Sequence, residues 1–144
     1  MMRQSKKIQL SLCVALMVAA AGCGGNNANT TAGTVGVRVT DVTLGRAVGG
    51  DKAITDRADS FKPNDTIYAS VATEGSAQSA TVRAKWSFEN GQLVDESTRA
   101  IAPSNKERTE FHISKPDGWP VGKYKLEVFL NDQLAETKNF DVGG

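Results

Sequence analysis

The sequence predicts an all-β domain over residues 34–144, an antiparallel sandwich of about seven strands, and three observations predict it. From Val35 onward apolar and polar residues alternate with a period of two, the repeat of a strand that buries one face. Clusters of Gly, Asn, Asp, Pro and Ser punctuate this alternation at intervals that suit short strands joined by turns. No stretch carries a convincing apolar stripe at helical spacing.

Taken in order, Gly36–Leu44 supplies the first strand. The next segment, Ala53–Phe61 (AITDRADSF), has a composition that admits a turn or two of helix inside a long loop. Thr66–Thr73 is the second strand. Thr81–Glu89 is the most regular, with Val82, Ala84, Trp86 and Phe88 alternating with Arg83, Lys85, Ser87 and Glu89. Asn90-Gly91 follows at once, a strong hairpin pattern because both residues accept positive φ in a type I′ turn, and Leu93 and Val94 open the return strand. Arg108–Ile113 is a further strand, and Tyr124–Leu130 alternates as cleanly as Thr81–Glu89 before Asn131-Asp132 turns the chain again. Leu134–Val142 closes the series imperfectly. Leu134, Phe140 and Val142 share a parity with Glu136 and Lys138, which calls for a bulge or an exposed strand end.

The arrangement resembles an immunoglobulin-like β-sandwich. Trp86 stands in a central strand, as the core tryptophan of that fold does, and Tyr124 opens a late strand where a tyrosine corner would place it. Phe61-Lys62-Pro63-Asn64-Asp65 leading into Thr66-Ile67-Tyr68 looks like the start of a strand in bacterial immunoglobulin-like domains. Gly118–Tyr124 and the residues after it look like their closing hairpin. The inter-sheet cysteine pair of antibody domains is absent, so the resemblance implies aliphatic packing at positions such as Val71 and Leu126. A fibronectin-like or related topology fits the same pattern. No catalytic motif accompanies the resemblance.

Ahead of this domain, Met1–Lys7 is basic and Leu10–Ala21 is apolar apart from Ser11, the order of a secretory signal too short to span a bilayer comfortably. The apolar run ends on Ala20-Ala21-Gly22-Cys23, which resembles the lipobox of bacterial lipoproteins, with Ala20 where leucine is commoner in that family. The resemblance implies cleavage before Cys23, residues 1–22 being the signal peptide, and acylation of the Cys23 thiol and the new amino group. Two or more acyl chains make such an anchor effectively stable. An ordinary cleaved signal with a leftover cysteine, or an uncleaved anchor, is the alternative. Cys13 lies within the signal, so the mature chain would keep Cys23 alone and form no internal disulfide. Residues 23–33 then form the lipidated cysteine and a flexible tether of Gly, Asn, Thr and Ala, reaching roughly 15–20 Å. Gly24 stands where an aspartate would imply inner-membrane retention in the lipobox family, so the expected site is the outer membrane, facing the periplasm.

The chain carries 17 Lys and Arg against 16 Asp and Glu, and loss of Arg3, Lys6 and Lys7 with the signal would leave a net charge of −2. Such a balance lacks the basic footprint of a nucleic-acid binder. His112 is the one histidine, flanked by Phe111 and Ile113 in a strand, and it has no second histidine or C-x-x-C to share a metal with. No G-x-S-x-G or P-loop is present, so no enzyme, cofactor or metal centre is expected. Asp51, Asp56, Asp59 and Asp65 could gather calcium, but Lys52, Arg57 and Lys62 interleave them and the spacing is not that of an EF-hand. Trp119 with Pro120 is the candidate partner contact, because aromatic anchors in loops at one end of a sandwich are enriched at binding sites. The competing placement folds Trp119 back as a cap beneath Tyr124. The stretch Ala47–Phe61 is a second candidate. Together these observations predict a membrane-anchored, non-enzymatic binding or scaffolding module that meets an envelope protein or glycan. A periplasmic inhibitor or chaperone is the alternative.

Overall fold

A computed structural model describes residues 36–144; Cys23, the signal segment and the tether lie outside the described residues. Nine strands form two packed sheets among the described residues. They are β1 (Arg38–Val48), β2 (Ile54–Arg57), β3 (Ser60–Phe61), β4 (Ile67–Glu74), β5 (Ala80–Phe88), β6 (Gln92–Ile101), β7 (Lys106–Ile113), β8 (Gly122–Leu130) and β9 (Gln133–Val142). The first sheet runs β2-β1-β4-β7 and the second β3-β9-β8-β5-β6. All neighbours are antiparallel except β3, which lies parallel to the end of β9. Seven of the strands are long and two are short additions, β2 and β3.

This is an immunoglobulin-like sandwich with its fourth core strand relocated. In constant-type immunoglobulin domains that strand joins the sheet of the first, second and fifth core strands. Here β6 stays beside its hairpin partner β5, and the chain crosses to the other sheet only at β7.

Alternation along the strands builds the core. Ile67, Ala69 and Val71 of β4 face Val82, Ala84 and Trp86 of β5 and Leu126 and Val128 of β8, all fully buried. Trp86 meets Phe140 edge-on at 5.9 Å, and Phe140 in turn meets Phe61 at 5.5 Å. Val71 and Leu126 are both inaccessible, so aliphatic packing occupies the place expected for it. At about 25 cal/mol per Å² of apolar area removed from water, such a core supports a domain of this size without a cross-link.

Three expectations are corrected. Ala53–Phe61 holds no helix and Asp51–Asp65 is not one long loop: Ile54–Arg57 returns along β1 as β2, and Ser60–Phe61 pairs with Asp141–Val142. The helical composition loses to an unused strand edge, because β1 runs on past its pairing with β4 and its last residues need partners. Gly45 is the pivot, since a Cβ there would collide with the Asp56 carbonyl and the Ile54 side chain. The β5–β6 turn also differs. The chain reverses through Glu89-Asn90-Gly91, with positive φ at Glu89 (50°) and Gly91 (103°), whereas the type I′ pair of positive φ values occurs at Asn131 (50°) and Asp132 (66°).

The irregular last strand resolves into both devices. Val128 opposes Glu136 and Phe129 opposes Leu134, so Ala135 is an extra, bulged residue that turns Leu134 onto the outer face. That end of β9 is also exposed, and Glu136 and Lys138 sit opposite the core residues Val128 and Leu126 beyond the reach of β3.

Candidate functional site

Two short runs, Phe88–Val94 and Lys115–Tyr124, meet at the end of the sandwich away from Gly36, where the described chain begins. Gly36 sits against Gly75, next to the Arg38, Glu74 and Lys106 row of the first sheet. The far end is closed by Trp119. Its main-chain N–H donates to the Pro63 carbonyl (2.7 Å) and its indole N–H to the Asp65 carbonyl (3.1 Å). The ring stands edge-on to Tyr124 at 6.3 Å, and only 7% of Trp119 is exposed. Of its two expected placements, the cap is the one observed, because a tryptophan that satisfies its N–H on a neighbouring loop buries more apolar area than one left in solvent.

The Tyr124 hydroxyl donates to the Pro120 carbonyl at 2.7 Å, the tyrosine-corner bond back to residues upstream. Burial, with the Glu89 charge adding, pushes this phenol above its ordinary 10.0. Gly118 (φ 87°) lets the loop turn beneath Pro63, and the corner bond holds Pro120 outward, where it is exposed. Beside it Val121 is 66% exposed, and across the end Leu93 is 56% exposed. The sequence signal for these two was present but unread: both are aliphatic residues next to turns, where nothing packs on them.

Between Leu93 and Pro120 lies a cleft of about 230 Å³, floored by Phe88, Trp119 and Tyr124 and edged by Val94, Gln92 and Lys115. Phe88 and Tyr124 pack against each other in the floor with ring centres 4.8 Å apart. The expected contact pair Trp119 and Pro120 therefore lines one site: Trp119 as buried wall, Pro120 as accessible rim. The polar groups there are Gln92, Lys115 and a Tyr124 hydroxyl already committed to Pro120, so the cleft is equipped to bury an apolar group beside a positive charge.

The other expected residues lie elsewhere. His112 sits on the outer face of β7, half exposed, with Nδ1 2.6 Å from Glu110 Oε1 and its ring 5.4 Å from Tyr68. Asp65 holds Arg46 at 3.2 Å and accepts the Lys62 N–H, Asp56 lies 3.7 Å from Arg46, and Asp51 caps the Ala53 N–H. These carboxylates are engaged by cations and main-chain donors rather than by one another, and among the described residues no group of three or more His, Cys, Asp or Glu converges on one point. A larger cleft of about 480 Å³ lies under the β1–β2 turn, but its charges neutralise one another, Arg108 with Asp51 at 3.9 Å and Lys106 with Glu74 at 3.6 Å.

No protein-family model and no curated protein matches the sequence. Among solved structures, the chain is similar to an immunoglobulin-like protein from Pseudomonas aeruginosa, with 17% identity over 74% of this chain and 96% of that one and a TM-score of 0.48. It is also similar to an alkylpurine DNA glycosylase from Pseudomonas fluorescens bound to DNA containing an abasic site analog, with 15% identity, 83% of this chain, 34% of that chain and a TM-score of 0.49. A CARDB domain from Pyrococcus furiosus, in complex with di-metal ions, is similar at 17% identity over 72% and 86%, with a TM-score of 0.39.

Proposed function

We propose that this chain is a lipid-anchored bacterial lipoprotein whose immunoglobulin-like domain is a non-enzymatic binding or scaffolding module of the cell envelope. The observation that supports the binding role is the aromatic-floored cleft with Leu93 and Pro120 exposed on its rim and Val121 exposed next to Pro120, at the end of the sandwich opposite Gly36. Exposed apolar patches rimmed by polar groups mark interaction sites, and a packed aromatic floor limits the entropy lost on binding.

The anchor rests on the Ala20-Ala21-Gly22-Cys23 run. Acylation of Cys23 and cleavage before it hold the domain on the periplasmic face of the outer membrane, where its partner is an envelope protein or a glycan. Cys23→Ala or globomycin is expected to leave an unprocessed precursor; normal processing with membrane attachment would overturn the anchor.

The binding role is tested separately. Trp119→Ala is uninformative because it removes a core cap, so the variants of choice are Leu93→Asp and Val121→Asp. Pull-down from solubilised membranes is expected to lose one stoichiometric partner in both, and equal recovery with wild type would overturn the role of the cleft.

A further inference from the structure

Sheet edges offer unpaired N–H and C=O groups to any extended chain, and proteins blunt them with bulges, shortness or inward-pointing charges. Three edges among the described residues are treated in this way. The edge strand β2 has four residues and two register shifts. On β6, Val94 is bulged, and Asp95 and Arg99 lie opposite the core residues Trp86 and Val82. On β9, Ala135 is bulged, and Glu136 and Lys138 point inward.

The edge of β7 differs. It pairs with β4 residue for residue from Lys106↔Glu74 to Ile113↔Ile67, without a bulge, and among the described residues no strand lies on its other side. Along its core-facing parity Thr109, Phe111 and Ile113 are buried, and the one inward charge, Glu107 opposite Thr73, lies at the strand's start rather than along its middle. An open groove of about 340 Å³ runs beside this edge, between Glu107–Glu110 and the end of β6 at Arg99–Ile101. The open edge follows from the topology, because a strand at this position would be the one that β6 declines by staying with β5.

We infer that β7 is the seam of a symmetric dimer, pairing antiparallel with β7 of a second copy of this chain about a two-fold axis at Thr109. The outer face of β7 selects both partner and register. Lys106, Arg108, Glu110 and His112 alternate along it. Centred on Thr109, each Arg108 faces the second copy's Glu110, and the symmetry makes this pair twice. Centred one residue earlier, Arg108 faces Arg108 at the axis even though Lys106 then meets Glu110; centred one residue later, Glu110 faces Glu110; only the register at Thr109 sets no like charges opposite each other. Like charges directly opposite are destabilising and opposite charges stabilising. Arg108 lies 3.9 Å from Asp51 through Nη1, and Glu110 meets His112 through Oε1, which leaves Nη2 and Oε2 for the new pair.

The test is a concentration series of the full chain in detergent, followed by sedimentation or native mass spectrometry, so that it does not depend on whether Cys23 is acylated. Wild type is expected to dimerise. Arg108→Glu and Glu110→Arg are each expected to weaken self-association by about tenfold or more, because every facing pair becomes repulsive. An equimolar mixture of the two variants is expected to associate again: the glutamate introduced at position 108 of one copy faces the arginine introduced at position 110 of the other, and the retained Glu110 faces the retained Arg108. A monomeric wild type, a dimer indifferent to either substitution, or a mixture that stays monomeric would each overturn the inference.

Discussion

Tyr124 joins the fold to the candidate site through one hydroxyl. With its phenol held above the ordinary 10.0, the neutral form is favoured in the folded state, so its contribution to stability is complete below about pH 10 and is lost as pH rises through the folded value. Asp141, hydrogen-bonded to Lys123 and attracting its charge, raises that exposed ammonium and acts in the same direction. Tyr124→Phe is expected to cost about 0.5–1.5 kcal/mol at neutral pH through loss of the bond to Pro120, and to flatten the decline in stability above pH 10; urea titrations between pH 7 and 11 check both. Trp119→Ala is expected to cost about 3–5 kcal/mol, the cost of deleting a buried aromatic. Leu93→Asp and Val121→Asp should stay within about 0.5 kcal/mol of wild type by the same titration, as exposed substitutions do. The site was legible in part. Trp119 and Pro120 stood out because an aromatic next to proline in a glycine loop is conspicuous, but whether Trp119 faces in or out depends on the Pro63 and Asp65 carbonyls. Those acceptors lie more than fifty residues away in sequence, 54 for Asp65.

Each long strand was readable where one face is buried and the other is wet. Period-two alternation located β4, β5, β7 and β8, and the parity conflict in β9 called for a bulge or an exposed end, of which the strand has both. What was not readable is the pairing of Ile54–Arg57, whose residues carry no alternation and whose partner is the overrun of β1 beyond β4. Gly45 is the local requirement that makes this hairpin possible. Gly45→Ala forces its Cβ onto the Asp56 carbonyl and Ile54, so the expected effect is a loss of about 1–3 kcal/mol by overpacking. Hydrogen exchange should accelerate in residues 46–57 ahead of the core strands; uniform protection would mean that the hairpin accommodates the methyl group. The Asn90-Gly91 turn is a milder lesson. The dipeptide marked the reversal correctly, but the main-chain bond from the Glu89 N–H to the Lys123 carbonyl draws Glu89 into positive φ and enlarges the turn to three residues.

At the scale of the described domain, three surfaces are set apart by the fold. Gly36 lies at one end, the opposite end presents Leu93 and Pro120 on the rim of an aromatic floor, and the regular edge of β7 lies between them. The proposed function gives Cys23 the role of attachment. A binding module of the kind proposed works by holding a partner, so the proposed activity is a contact that can be trapped. A photo-crosslinking residue placed at Leu93 in the full chain, in intact cells, reads that contact, with the same residue at Thr43 on the outer face of the first sheet as the comparison. The account predicts one discrete adduct from position 93, suppressed by Val121→Asp, and none of that mass from position 43. No adduct at 93, or the same adducts from both positions, would contradict it.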